Sequence, residues 1–235
     1  MEFPRGSFER TLTIAPADCG GGGVLSPWAI LMMMQDAATD ACDRIGLTYD
    51  VLRGKYGVVF IATGQAVRFA RPLNAGETVR VRTDPIRVHG PFFLRQTLFY
   101  DAAGDIAAEA QAAWALMDAE TGAVRRSTVL RDEFDLRADA APFCNAAHLH
   151  FTTATTECER YTVSAADTDI NGHMNNTVYA RLLLRCMPEV TTVSEFGIRY
   201  RKQAFPGDEL TLCRDGETAA GYLDGSLCFD GYVKP

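Results

Sequence analysis

The sequence predicts an α+β protein made by internal duplication, with two units that each contain an antiparallel sheet and one helix. Three observations support this prediction. The segment VRFARPLNAGETV at 67–79 aligns without gaps with IRYRKQAFPGDEL at 198–210. The segment ADCGGGGVLSPW at 17–28 parallels ADTDINGHMNNT at 166–177, and an apolar-periodic stretch follows each of them. Turn signals then divide the rest of each half into short strands.

The first unit is predicted to open with a strand that ends at an acid, followed by a glycine-rich turn and a helix. The helix covers PWAILMMMQDAATDACDRIG, and Pro27 stands just inside its start, where a missing N–H is tolerated. Strands follow at roughly 56–70, 76–89, 91–101 and 105–118. We expect an antiparallel meander crossed by the helix, because this arrangement buries the apolar face of each.

The second unit repeats this order in fewer residues. Its helix is predicted over TVYARLLLRCM, with Asn175 or Asn176 as the N-cap and Pro188 beyond its end. Strands separated by DG turns are predicted at roughly 192–204, 208–214, 217–223 and 226–233. The predicted organisation is therefore a first unit, a linker and a second unit at 1–130, 131–155 and 156–235.

Composition restricts the class of protein. Of the 235 residues, 47% are apolar and 23% are charged, which is ordinary for a soluble globular protein. No apolar run approaches the ~20 residues that span a bilayer. The first residues lack the apolar core of a signal peptide, so we expect a cytoplasmic protein without membrane contact. The net charge of −7 argues against a nucleic-acid partner that needs a broad basic face.

The cysteines and histidines indicate neither disulfides nor a metal. The chain has seven cysteines and no CxxC pair, which predicts reduced thiols. The HLH stretch at 148–150 lacks a third ligand. We therefore expect no metal and no cofactor.

The stretch DTDINGHMNN at 167–176 is the strongest candidate for a functional site. It lies at a helix start, where free N–H groups and partial positive charge stabilise a developing anion. Asp169, Asn171 and His173 alternate, so in an extended chain their side chains would point to one side. They offer a base, an orienting amide and a proton carrier, the functions that acyl hydrolysis by water needs. Capping a helix requires only one such residue, so we assign that role to Asn175 or Asn176.

These residues resemble the motif of the bacterial acyl-acyl carrier protein thioesterases, which is D-x-N-x-H-x-N-N followed by an aromatic residue. The matching positions are Asp169, Asn171, His173, Asn175, Asn176 and Tyr179. The resemblance extends over LMMMQDAATDACDRIG, ARPLNAGETVRVRT, FFLRQTLFYDAAGDIAAEAQAAWALMD and IRYRKQAFPGDEL. It implies two tandem hot-dog units, each a sheet wrapped around a long central helix. The implied reaction is hydrolysis of fatty acyl thioesters on acyl carrier protein, in fatty acid biosynthesis.

The resemblance also implies that Asp169, Asn171 and His173 are the catalytic group. The first unit would carry no second site, because glycines and a valine stand at the parallel positions Gly20, Gly22 and Val24. That unit would instead hold the acyl chain. Its LMMM helix and the Phe-rich strand at 92–99 suit an apolar tunnel, although each residue could equally be plain core.

Gln203 departs from the family pattern, which usually has a glutamate after the strand that ends in YRK. A glutamine cannot act as a general base, but it can hold a water or orient His173. If the family's glutamate is the base, this enzyme should be slow or inactive unless Asp169 takes that role. If the glutamate mainly orients, Gln203 could be nearly neutral in effect, and Asp169 or His173 would activate the water. Two alternatives stay open: an acyl-CoA thioesterase that uses the same residues, and a non-catalytic acyl-thioester binding or sensing module, which Gln203 favours.

A carrier-protein partner requires a local basic face, because carrier protein and this chain are both acidic. Such a face could include Arg199, Arg201, Lys202 and the arginines at 80–87, or these could be solvated strand residues. The sequence leaves open whether the protein is a monomer or a homodimer, and which chain lengths it takes.

Overall fold

The fold was analysed in a computed structural model that describes residues 3–169 and 172–235. Its described residues form ten strands: β1 (Phe8–Thr13), β2 (Val58–Phe69), β3 (Thr78–His89), β4 (Phe92–Tyr100), β5 (Ile106–Asp118), β6 (Glu157–Thr162), β7 (Glu195–Tyr200), β8 (Glu209–Asp215), β9 (Thr218–Leu223) and β10 (Ser226–Lys234). The α-helices in the same residues are α1 (Pro27–Arg44), α2 (Tyr49–Tyr56) and α3 (Asn176–Arg185). The α+β class is confirmed, as are the predicted positions of the meander strands to within a few residues.

One antiparallel sheet contains all ten of these strands, in the order β1-β3-β4-β5-β2-β7-β10-β9-β8-β6. The first five belong to the first half of the chain and the last five to the second half. The halves meet where β2 pairs with β7, in a register that runs from Gly64 opposite Arg199 to Arg68 opposite Glu195. The two predicted units therefore share one continuous sheet.

The helices agree with the prediction less completely than the strands. α1 has 18 residues and begins at Pro27 as expected, but α3 has only ten, so a long helix in the second unit is not confirmed. α2 was not predicted. Thr48 caps its start by accepting a hydrogen bond from Val51 N, and Gly57 ends it at a φ of 65°. In the described parts of the chain, no helix is long and apolar enough to cross a membrane.

The main hydrophobic core draws on both halves of the chain. It includes the buried faces of α1 and α3, such as Ile30, Met34 and Leu183, together with sheet residues such as Val67 and Phe196. α1 and α3 also contact each other. Because complete burial of each large apolar side chain stabilises a fold by about 1.5–3 kcal/mol, this shared core holds the halves together.

The segment after β5 crosses the sheet on the face opposite α1. Gln111 Oε1 accepts a hydrogen bond from Ala146 N at 2.9 Å. Arg199 donates to Leu149 O at 3.0 Å and pairs with the fully buried carboxylate of Asp230. Arg199 is thus committed to holding this segment, which corrects the prediction that it could belong to an exposed basic face.

Replacement of Gly64 tests this packing. A Cβ at Gly64 would collide with the carbonyl oxygen of Ala146, so Gly64→Ala should destabilise the protein by about 1–3 kcal/mol. We expect a fall of several degrees in Tm by calorimetry. Gly54→Ala is the matched control, because a Cβ there meets nothing within 4 Å and alanine favours the helix. Equal Tm values for the two variants would contradict the close contact between Gly64 and Ala146 O.

Candidate active site

A cavity of about 410 Å³ lies at the junction of the two halves. The first half contributes side chains from β2 and β5, including Phe60 and Trp114, and the second half contributes Asp169, His173 and Gln203. The structure therefore brings three of the predicted site residues to one cavity. The fourth, Asn171, lies outside the described residues.

A tight turn, rather than an extended chain, brings Asp169 and His173 together. Asp169 O accepts a hydrogen bond from Gly172 N at 3.0 Å, and His173 O accepts one from Asp169 N at 3.1 Å. Gly172 has a φ of 77°, a conformation that glycine adopts without strain. The prediction that alternation in an extended strand aligns these side chains was wrong, because the chain folds back at Gly172.

His173 is positioned through one ring nitrogen. Nδ1 lies 3.2 Å from Met174 O and 3.8 Å from Asp169 Oδ2. A carbonyl oxygen can only accept, so this hydrogen bond requires the proton on Nδ1. In the neutral ring, Nε2 then has a free lone pair. The side chain is 17% exposed, so it is shielded but not sealed from solvent.

Gln203 is held beside this turn by its neighbour Ala204. Ala204 O accepts a hydrogen bond from Met174 N at 2.8 Å, and Ala204 N donates to the hydroxyl of Tyr179 at 3.1 Å. Burial raises the pKa of Tyr179, so its hydroxyl stays neutral. Tyr179 is the aromatic residue of the motif, and its position in the motif was the sequence signal for this anchoring role.

Residues on either side of Asp169 and His173 build the preceding turn and the helix start. Asn175 is the N-cap, as predicted: its Oδ1 accepts from Thr177 N at 2.9 Å. Asp167 Oδ2 accepts from Ser164 N at 2.8 Å and from the hydroxyl of Tyr161 at 2.9 Å. Burial alone would raise the pKa of Asp167, but these hydrogen bonds hold it below its ordinary value.

A second, smaller cavity of about 190 Å³ shares Phe60 and Trp114 with the first. Its lining is mainly apolar and comes from the first half of the chain, including Phe93 and Leu52. The Met-rich part of α1 was expected to line such a space. Among the described lining residues, α1 instead contributes Ala38, Thr39, Cys42 and Asp43, while Leu31, Met33 and Met34 lie in the core and Met32 is exposed.

Comparison with known proteins identifies the family. Residues 6–135 match the acyl-ACP thioesterase N-terminal domain, and residues 151–225 match the C-terminal domain of the same enzymes. The chain belongs to the acyl-ACP thioesterase family. This membership confirms the predicted family and the predicted activity, hydrolysis of fatty acyl thioesters.

Solved structures share the fold over almost the whole chain. An acyl-ACP thioesterase from Bacteroides thetaiotaomicron is 18% identical with a TM-score of 0.87, and 97% of each chain is covered. The 12:0-ACP thioesterase from Umbellularia californica is 19% identical with a TM-score of 0.79, covering 100% of this chain and 98% of that one. At these identities the likeness concerns the tandem hot-dog fold.

A shorter relative acts on a different thioester. The 1,4-dihydroxy-2-naphthoyl-CoA hydrolase of Thermosynechococcus vestitus is 29% identical over 108 residues, which are 46% of this chain and 73% of the relative. This chain therefore has a sequence relative whose named substrate is a coenzyme A thioester.

Asp167 gives the turn before the motif a predictable pH dependence. The pKa of Asp167 is lower in the folded protein than in the unfolded chain, where it is about 3.9. Ionised Asp167 therefore stabilises the fold at a pH above 3.9, and this stability is lost as the pH falls through the pKa of the folded protein. In urea titrations, the unfolding free energy of the wild type should therefore decrease more steeply below about pH 5 than that of Asp167→Asn.

The matched control for this titration is Asp18→Asn, at the parallel position of the first half. It removes the same charge without removing the bonds from Ser164 and Tyr161. If Asp167→Asn and the wild type had the same pH slope, the carboxylate would not stabilise this turn.

Proposed function

We propose that the cavity between the two halves is the active site and that His173 is the general base. The main support is that Asp169, His173 and Gln203 line one cavity, and that Nδ1 of His173 is hydrogen-bonded to Met174 O. That hydrogen bond leaves Nε2 as the nitrogen that can accept a proton. His173 can act as a base without the glutamate that the family usually has near Gln203.

In the proposed reaction, Nε2 of His173 removes a proton from water while the water oxygen attacks the thioester carbonyl carbon. The carbon–sulfur bond then breaks, and the imidazolium returns the proton to the thiolate. The products are a free fatty acid and the carrier thiol. Asp169, whose Oδ2 is 3.8 Å from Nδ1, stabilises the imidazolium that forms between these steps.

The amides position the reactants. Gln203 is neutral and lines the cavity, so it suits a role in holding the attacking water. We assign Asn171 to the thioester carbonyl, together with a backbone N–H at the start of α3. In this proposal the unit at 1–130 binds the acyl chain, the unit at 156–235 carries the catalytic residues, and residues 131–155 link the two units.

Substitution of His173 tests the base. His173→Ala should lower kcat for acyl carrier protein thioesters by about 10²–10⁴-fold, because general base catalysis typically contributes that much. Release of free thiol measures the rate. His150→Ala is the control, since His150 is an exposed imidazole that lines a different cavity. Unchanged turnover in His173→Ala would exclude this mechanism, and Gln203→Glu shows whether a second base adds rate.

The cavity mouth also carries a basic pair that fits an acidic carrier protein. Arg201 and Lys202 line the cavity and are exposed. The other predicted candidates are largely committed elsewhere: Arg80 pairs with Glu9 at 2.7 Å, and Arg82 pairs with Asp84 at 3.0 Å. We assign carrier-protein docking to Arg201 and Lys202. The cytoplasmic location and the monomeric or homodimeric state stay predictions.

Loss of this pair should weaken carrier binding rather than chemistry. In Arg201→Ala/Lys202→Ala, we expect KM for acyl carrier protein thioesters to rise several-fold at low salt, with kcat nearly unchanged. The difference from wild type should shrink at high salt. Arg160→Ala on β6 is the control for removal of an exposed arginine at the far edge of the sheet. An equal KM in the wild type and the double variant would show that Arg201 and Lys202 do not bind the carrier protein.

The second candidate function is hydrolysis of acyl-CoA, favoured by the relative that acts on a coenzyme A thioester. The same acyl chain on carrier protein and on coenzyme A separates the two. We expect the higher kcat/KM on carrier protein, and the reverse order would make the protein an acyl-CoA thioesterase. Binding of both without release of free acid would instead support the non-catalytic module.

A further inference from the structure

A buried arginine lies in the smaller cavity, beyond the two aromatic side chains that this cavity shares with the active site. Phe60 and Trp114 form the shared wall, and Phe93 and Phe134 continue the apolar lining. Arg95, from β4, is also part of this lining. An acyl chain that enters from the thioester site and passes the shared wall therefore ends beside a guanidinium.

The donors of Arg95 are only partly used. The residue is 7% exposed. Within the described residues, both of its hydrogen bonds come from Nη1, which donates to Gly6 O at 2.8 Å and to Thr83 Oγ1 at 3.4 Å. Among the described residues Arg95 forms no ion pair. The carboxylate of Asp84 pairs instead with Arg137, at 2.9 Å. Asp84 also interacts electrostatically with the guanidinium, but in the described part of the chain it accepts no hydrogen bond from Arg95, so Nε and Nη2 keep donors for a ligand.

Covering a charged donor with an alkyl chain is unfavourable, so a guanidinium that lines a largely apolar cavity favours a ligand with an acceptor. An apolar cavity for a plain alkyl chain has no need of this guanidinium.

We propose that Arg95 forms a polar subsite for the distal end of the acyl chain, which selects chains that carry an oxygen acceptor there. A carboxylate fits best, because the planar guanidinium can donate two parallel hydrogen bonds to it, and a hydroxyl fits less well. A plain chain long enough to reach Arg95 would leave its donors unpaired and is disfavoured. This inference rests on the acyl-chain path of the proposed function.

Substrate preference tests the subsite in the wild-type protein. The probes are acyl carrier protein thioesters of increasing chain length, each ending in a methyl group, a hydroxyl or a carboxylate. At the length that reaches Arg95, we expect kcat/KM to be about tenfold or more higher for the carboxylate than for the methyl end, the ratio of one charged hydrogen bond. A preference for the methyl end at every length would overturn the proposal.

Two substitutions identify the residue responsible. Arg95→Met removes the donors and fills a similar volume, so it should abolish the preference for oxygenated ends and admit longer plain chains. Arg95→Lys keeps the charge without the planar pair of donors, so it should retain part of the preference for the carboxylate. An unchanged ratio in Arg95→Met would overturn the proposal.

Asp135→Ala controls for a purely structural role of Arg95. The Asp135 carboxylate accepts a hydrogen bond from Arg5 N at 2.8 Å and so holds the same chain segment that Arg95 holds at Gly6. If Arg95 only anchors this segment, both variants lower Tm and change all substrates equally, which would contradict the subsite. Failure to hydrolyse any thioester would overturn the proposed function itself, whereas hydrolysis without end-group preference would overturn only the subsite.

Discussion

The pairing of β2 with β7 is the constraint on which the rest of the molecule depends. It converts two half-sheets into one sheet, and it fixes their register over five residue pairs. Tyr200, at the end of β7, then reaches across the junction and donates a hydrogen bond to Gln65 on β2 at 2.7 Å. The cavity exists because the side chains of both halves are brought to this one junction. Neither half alone contains all of its walls.

Within that frame, a short chain of backbone contacts sets the position of the polar residues. Met174, Ala204 and Tyr179 form a clamp between the motif turn, the segment after β7 and α3. The clamp explains why residues 30 positions apart in the sequence, His173 and Gln203, face the same space. These polar residues are therefore positioned mainly by backbone hydrogen bonds, which tolerate variation of the surrounding side chains.

Local signals in the sequence predicted those features that depend on local physics. Alternating apolar residues and turn dipeptides located the meander strands, and the capping preference of Asn175 located the start of α3. The short helix α2 was missed, although Thr48 and Gly57 are recognisable caps, because it has only eight residues, is mostly polar and buries only Leu52. Local sequence patterns therefore predicted the strands and two of the helices but missed the short helix α2.

Contacts between distant segments could not be predicted in this way. The alternation of Asp169 and His173 suggested an extended chain, but a glycine reversed it. Arg199 looked like an exposed strand residue, yet it is half-buried and paired with a carboxylate 31 positions away on β10. Nothing local in the sequence indicated that Trp114 and Arg95 would line neighbouring cavities. Such placements depend on sheet order, which a periodic pattern does not encode.

The segment that crosses the back of the sheet has a consequence for how the molecule could be recombined. Its backbone is bonded to Gln111 in the first half and to Arg199 in the second. A chimera that exchanged one half for that of a relative would cut these bonds even if the strands matched. A chimera should therefore take this segment from the same parent as β5 and as the pair of Arg199 and buried Asp230. The two halves are therefore coupled in evolution through a segment that is bonded to both of them.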